Sequence, residues 1–414
     1  MKKSQLFFWG FAALSVACHP QQTPANPSAS NQSSQASSGR IMTITSETND
    51  PKLPKILVPG LELKVFAGSG KAGYKDGPKL EAEFDGFSFL TADTNFELYI
   101  NDANNECIRK ISTTGLVSTI AGSGKELKDY RQLLTRKGDP LIIDFHLIKK
   151  LAFIEPGVLF ISDAYSVFQL SLKQNNVTEV LEYHKSDFES YTPNTIPIHL
   201  QEGVGCLVPY RESLLLCQNQ EIKRLYFKDD RYKIEAFTDI RPGNLSNIIG
   251  DPSGLFRDGP VKEAIFKQIG DLAFDREDNI YIADIGNHRI RKLDIKSQMV
   301  TTISGKANLS GTTSINPDLL GGYKDGPSTE ALFDGPYDLE ILENDILLVA
   351  DGNKALRAIS EDWVYTLISN ISSGPFLKQG SRLYLTDSNT QSIYTLDLSV
   401  LTPEKLRTMR KAHQ

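Results

Sequence analysis

Asn279–Leu293 reads NIYIADIGNHRIRKL: an apolar run, a polar Asp-x-x-Asn turn, and a second run that carries basic residues. Apolar runs flanking a turn rich in Asp, Asn and Gly signal a β-hairpin. Looser copies recur along the chain. They are Leu98–Ile111 (LYINDANNECIRKI), Leu159–Leu170 (LFISDAYSVFQL), Leu214–Leu225 (LLLCQNQEIKRL), Ile346–Ile359 (ILLVADGNKALRAI) and Leu383–Leu396 (LYLTDSNTQSIYTL). With the opening stretch they make six hairpin units, so the chain is a repeat protein.

Two further motifs frame these hairpins. YKDGPKLEAEFDG from Tyr74, FRDGPVKEAIFKQ from Phe256 and YKDGPSTEALFDG from Tyr323 each precede one. Asp-Gly-Pro is a turn with a mechanism, since Gly accepts positive φ and Pro fixes the exit. An outer strand running into Gly follows as VSTIAG (Val117–Gly122) and VTTISG (Val300–Gly305), and it also precedes the first hairpin as LKVFAG (Leu63–Gly68).

Inner strand, Asp-x-x-Asn hairpin and outer strand ending in Ala-Gly-x-Gly together resemble the NHL repeat, across roughly Leu61–Leu398. The resemblance is sharp in units one, four and five and blurred in the others. A four-stranded unit repeated radially is a propeller blade, so the expected fold is all-β: a six-bladed, NHL-like β-propeller. Leu63–Gly68 lacks inner strands before it, and the last hairpin lacks an outer strand after it. The N-terminal strand is therefore expected to close the last blade, which leaves few exposed edges. Lys125–Lys150 and Tyr183–Gly203 replace the Asp-Gly-Pro segment by longer, less regular sequence. Thr402–Gln414 predicts a short basic surface helix or a frayed tail.

Met1–Ala17 reads as an export signal: Lys2 and Lys3, then Leu6–Leu14 (LFFWGFAAL), an apolar run too short to span a bilayer. Ser15-Val16-Ala17 before Cys18 resembles a bacterial lipobox, although Ser15 stands where that motif prefers Leu; ordinary signal peptidase would cut the same bond. The lipobox resemblance implies an acylated Cys18 and, with His19 rather than Asp following it, sorting to the outer membrane. His19–Arg40 is rich in Pro, Ser, Gln and Asn, with nothing to bury, and predicts a disordered tether. The expected organisation is a signal peptide over 1–17, a lipidated tether over 18–60, a propeller over 61–400 and a C-terminal tail over 401–414.

The formal charge is −6, and removing Lys2 and Lys3 would make it two units more negative. That balance and the export signal argue against a nucleic-acid partner. Asp102, Asn105, Asp284, Asn287, His288, Asp351 and Asn353 are expected to share one rim with the Asp-Gly-Pro loops. The repeated Asp and Asn read as turn scaffolding. The ligand-face candidates are the residues beside or outside the repeat: Tyr74, Lys75, Phe256, Arg257, His288, Tyr323 and Lys324.

The family resemblance includes a zinc lyase with histidine ligands at the start of inner strands. That column here is Ser88, Lys149, Gly205, Gly270, Tyr337 and Phe376, without histidine. The next column contains Asp271 and Asp338, hard oxygen donors in neighbouring blades that could hold calcium, as a lactonase-type hydrolase does in its channel. No other cofactor is expected. Cys206 and Cys217 flank a turn on adjacent strands and are a candidate disulfide, with two buried thiols as the alternative; Cys107 reads as a plain strand residue. The expected function is a cell-envelope binding scaffold: a monomeric disc, membrane-tethered by its lipid, that takes a protein, peptide or glycan on its loop face. The alternative is a hydrolase or lyase with a divalent metal in the channel.

Overall fold

Most strands of this protein are apolar on both sides, because each sheet lies between two others. The computed structural model describes residues 43–413 except 125–137, 144, 146, 155, 164–165, 184–195, 199–203, 219–220, 230, 238–256, 307–320 and 373–374. Six sheets form the six blades of a propeller, antiparallel except where Ile196–Ile198 adds in parallel to the outer strand of blade 2. In blade 1 the order from the axis outward is Phe87–Ala92, Leu98–Asp102, Cys107–Ile111 and Leu116–Ala121. Blade 4 repeats it with Ile269–Phe274, Ile280–Asp284, Arg289–Asp294 and Met299–Ser304, and blade 5 with Pro336–Ile341, Leu347–Asp351, Ala355–Ser360 and Trp363–Ser369.

Six hydrophobic clusters sit one at each seam between blades. Successive residues of one strand feed different seams. Tyr99 packs toward blade 2 and Ile100 toward blade 6, while Ile282 packs toward blade 3 and Ala283 toward blade 5. That is the period-two geometry of a strand applied to two cores at once.

The ring closes as the order of motifs predicts. Leu63–Ala67 pairs with Ser392–Asp397 and becomes the outer strand of blade 6, with Leu63 opposite Leu396. Asp-Gly-Pro adds a fifth strand to its own blade: Gly77 pairs with Val117, Gly259 with Val300 and Gly326 with Val364. These glycines stand at φ of 132°, 133° and 142°, which side chains rarely allow. Blade 2 reaches the same pairing from a different order of residues, Gly138-Asp139-Pro140, with Gly138 bonded to Val177. This bridge lies inside the stretch Lys125–Lys150 that reads as an irregular replacement.

The structure corrects the tether expected over 18–60. Thr43–Ile44 pairs with the closing strand and Lys55–Ile56 with Trp363–Ser369, while Ile44, Ile56 and Val58 are buried. These side chains complete the seam between blades 5 and 6 and cover two open sheet edges. The signal segment, Cys18 and the rest of the tether lie outside the described residues. At the other end, Pro403–His413 is a helix docked on blade 5. Leu406 is buried, Arg407 pairs with Glu361 at 3.0 Å, and the Arg410 guanidinium stacks 4.1 Å from the Trp363 ring centre. No helix among the described residues is long and apolar enough to cross a membrane.

Candidate functional site

Antiparallel geometry places the hairpins between second and third strands on the same face as the blade-to-blade loops. Three blades use that proximity identically. Arg109, Arg291 and Arg357 are wholly buried, and each binds the hairpin aspartate of its own blade: Asp102 at 2.5 Å, Asp284 at 2.9 Å and Asp351 at 3.0 Å. Each also binds the aspartate of Asp-Gly-Pro: Asp76 and Asp258 at 2.6 Å, Asp325 at 2.7 Å. The same guanidiniums donate to the carbonyls of Lys75, Arg257 and Lys324. The second oxygen of each loop aspartate accepts an outer-strand N–H, from Thr119, Thr302 and Thr366. One arginine thus ties hairpin, loop and outer strand together.

Burial pushes the Asp102 and Asp351 carboxyls up to about 6 despite the neighbouring arginines, and burial raises Asp284 likewise. The asparagines are engaged too: Asn105 donates to the Gly73 carbonyl at 3.0 Å, Asn287 to Asp284 at 2.9 Å and Asn353 to Asp351 at 3.0 Å. The repeated polar residues are therefore occupied within the blades. The arginines escaped the sequence reading. Their signal was present, because within this chain an arginine stands at this hairpin position in each blade whose motif begins Lys-Asp-Gly-Pro or Arg-Asp-Gly-Pro, at 75, 257 and 324.

Of the ligand-face candidates, Tyr74 and Tyr323 stay half-exposed, at 53% and 52%. Each ring covers a buried arginine, 5.0 Å from Arg109 and 5.3 Å from Arg357. Each hydroxyl meets an outer-strand threonine, Thr119 at 2.9 Å and Thr366 at 3.0 Å. The tyrosines stand over the outer part of blades 1 and 5, away from the axis. Lys75, Arg257 and Lys324 give their carbonyls to the arginines while the side chains remain exposed. Phe256 lies outside the described residues.

His288 has a different place from the one its uniqueness in the sequence implies. It takes a left-handed turn conformation, φ 55°, and its Nδ1 accepts the Gly335 N–H at 2.9 Å. It joins blade 4 to blade 5. Gln391, four residues after the blade 6 aspartate Asp387, does the same to the Gly86 N–H at 3.0 Å and joins blade 6 to blade 1. The histidine is one of two solutions to a seam contact.

Asp271 and Asp338 do come together near the axis. Asp271 Oδ2 accepts the Leu339 N–H at 3.1 Å, and Asp338 Oδ2 accepts the Phe376 N–H at 2.7 Å, so each carboxyl reaches into the following blade. Lys150 Nζ stands 3.9 Å from Asp271 and 4.5 Å from the Phe89 ring centre. Burial first, and the charge of Asp271 second, hold the Asp338 carboxyl well above the usual carboxylate range, and the pair is hydrogen-bonded. Lys150 thus sets an ammonium against one carboxyl of the pair, and no cluster of three His, Cys, Asp or Glu converges among the described residues. Glu340, on the same strand, is pushed by burial up to about 7, against the pull of Lys378.

Cys206 and Cys217 are direct cross-strand neighbours in blade 3 and are joined as a disulfide, with Cα atoms 4.7 Å apart. Cys107 is a buried free thiol.

No model of a known protein family matches the chain. It is 25% identical over 347 residues to NHL repeat-containing protein 2 of Homo sapiens, covering 76% of this chain and 45% of that protein. It is 25% identical over 310 residues to Protein SUPPRESSOR OF QUENCHING 1, chloroplastic, of Arabidopsis thaliana, covering 70% of this chain and 26% of that one. The chain thus spans less than half the length of either relative. Among solved structures, a protein of unknown function from Bacteroides thetaiotaomicron superposes with a TM-score of 0.54 at 14% identity, covering 81% of this chain and 75% of that one.

Proposed function

We propose that this six-bladed β-propeller, similar to NHL repeat-containing proteins, serves as a recognition module of the cell envelope, tethered by a lipid on Cys18 and presenting its hairpin face to a protein, peptide or glycan. The observation that carries the reading is a division of labour on that face. The repeated acids and amides are engaged within the blades, though Asp76, Asp258 and Asp325 stay partly exposed, whereas Tyr74, Lys75, Arg257, Tyr323 and Lys324 stand exposed outside that network. Both tyrosine rings are already held, by an arginine beneath and a threonine at the hydroxyl, so little side-chain freedom is lost on binding.

The test is retention on isolated peptidoglycan and on immobilised envelope proteins, comparing the wild type with a Tyr74→Ser/Tyr323→Ser variant and with a Lys75→Glu/Arg257→Glu/Lys324→Glu variant. Loss of retention with unchanged unfolding is expected; equal retention by all three overturns the reading. For the tether, Cys18→Ser should release the protein from the membrane fraction, and unchanged fractionation would sink that part.

A second reading, hydrolase or lyase chemistry near the axis, rests on the hydrogen-bonded Asp338–Asp271 pair, in which burial and the neighbouring acid raise the pKa of Asp338. Lactone hydrolysis that Asp338→Asn abolishes would favour it over recognition.

A further inference from the structure

The seam where blade 6 meets blade 1 contains a cleft of about 260 Å³. It opens on the face opposite the Asp-x-x-Asn hairpins, among the turns that join first to second and third to fourth strands. Lys79, at its rim, donates its N–H to the Gly115 carbonyl in one of those turns. The lining includes Phe66 from the closing N-terminal strand, Lys79, Phe96, Arg382 and Tyr384.

Several of these residues break the repeat. Phe96 occupies the tip of the first turn of blade 1, with φ 67° and 60% exposure. Blades 4 and 5 place Asp278 and Asp345 there, at φ 64° and 63°. Aspartate tolerates both a left-handed backbone and water; a bulky aromatic is suited to neither. The turn is nevertheless held firmly, since Asp93 Oδ1 accepts the N–H groups of Asn95 at 3.0 Å and Glu97 at 2.8 Å. Phe66 stands at the outer-strand bulge, where blades 1, 4 and 5 carry Ile120, Ile303 and Leu367. It meets Tyr384 edge-on, with ring centres 5.1 Å apart.

Both charged side chains that line the cleft are cationic. The Lys79 ammonium lies 4.0 Å from the Phe66 ring centre, and burial, with the charge of Arg382 second, lowers its pKa. Neither cation forms an ion pair among the described residues, although Asp397 faces Arg382 across the register. Two cations left near each other, with aromatic walls and an exposed phenyl ring at the lip, match a ligand that brings both a negative group and a ring.

We propose that this cleft binds a small ring-bearing anion, with its carboxylate or phosphate between Lys79 and Arg382 and its ring against Phe96 and Phe66. The site is independent of the hairpin face, so neither proposal depends on the other. It would be tested on the full chain by calorimetric titration with benzoate, cyclohexanecarboxylate and phenyl phosphate, and with benzyl alcohol as the neutral control. The two carboxylates against phenyl phosphate distinguish which anion the cations prefer. Saturable binding of at least one anion and none of the alcohol is expected. Lys79→Gln and Arg382→Gln should each weaken it by about tenfold, the effect of one lost charge-assisted hydrogen bond. Phe96→Asp, which installs the residue of the sibling blades, should weaken binding while leaving the fold at least as stable. Absence of saturable binding by all three anions, equal binding of benzyl alcohol, or undiminished affinity in Phe96→Asp overturns the proposal.

Discussion

Blades 1, 4 and 5 and blades 2, 3 and 6 solve one problem in two ways. The third strand of every blade has a position facing the second strand two residues before the hairpin aspartate or, in blade 3, before Gln218. In the first group it is Arg109, Arg291 or Arg357, and the Asp-Gly-Pro loop supplies the second carboxylate. In the second group it is Phe168, Lys223 or Tyr394. Phe168 and Tyr394 are as buried as the arginines. Blade 3 adds the Cys206–Cys217 disulfide, and blade 6 borrows its outer strand from the N-terminus. A blade can therefore be held by a buried ion network or by apolar packing with a covalent or topological brace. The loop and the arginine come together because the loop's aspartate and carbonyl accept from guanidinium donors that the hairpin aspartate does not reach.

The largest effect should come from breaking that dependence. Arg291→Ala leaves Asp284 buried without its cation, and a loss of about 3–5 kcal/mol is expected in denaturant unfolding. The matching change in the other group, Lys223→Ala, should stay within about 1 kcal/mol, since that side chain is only partly buried. Similar losses at both positions would erase the distinction between the two kinds of blade.

Next comes the covalent brace. Cys206→Ser with Cys217→Ser should lower stability by about 2–3 kcal/mol, from a closed loop with a sequence separation of 11. A reductant should reproduce that loss in the wild type and do nothing further to the variant.

Glu340 gives a smaller effect with a definite sign. Its carboxyl is raised from 4.5 to about 7 by burial, so the folded chain holds the proton more tightly than the unfolded one. That contribution to stability is fully present below the unfolded pKa and is lost as pH rises through about 7. The side chain is 36% exposed, and screening limits the effect to about 1 kcal/mol. Glu340→Gln should flatten the stability profile between pH 5 and 8, read as thermal midpoints at about unit steps of pH. An unchanged slope would remove Glu340 from the account.

The smallest stability change belongs to the exposed face. Tyr74→Phe loses only the hydroxyl contact with Thr119, and a change within about 0.5 kcal/mol is expected by thermal unfolding. A larger loss would mean that Tyr74 braces its blade as Arg109 does.

The hairpins, the Asp-Gly-Pro turns and the closure of the ring were legible because local chemistry writes them: alternation makes strands, Asp and Asn make turns, and Gly before Pro supplies a backbone that other residues avoid. The N-terminal segment was legible only to Leu63. Thr43–Ile44 and Lys55–Ile56 are too short to stand out, and they are strands only because open edges receive them. The candidate site was legible in its positions rather than its roles. Tyr74, Lys75, Tyr323 and Lys324 do lie exposed on one face, whereas His288 turned inward to the next blade.

What the sequence alone determined is the repeat and the number of blades, which follow from contacts between neighbours in the chain, and the order in which the ring closes, which follows from the strands the order of motifs leaves unpaired. The tertiary structure decided which polar residues are spent on the fold. Arg109 lies 33 residues from Asp76, and Asp338 lies 38 residues from the N–H it accepts. Such pairs form only when blades close around them, and burial then turns a surface-looking charge into a strut.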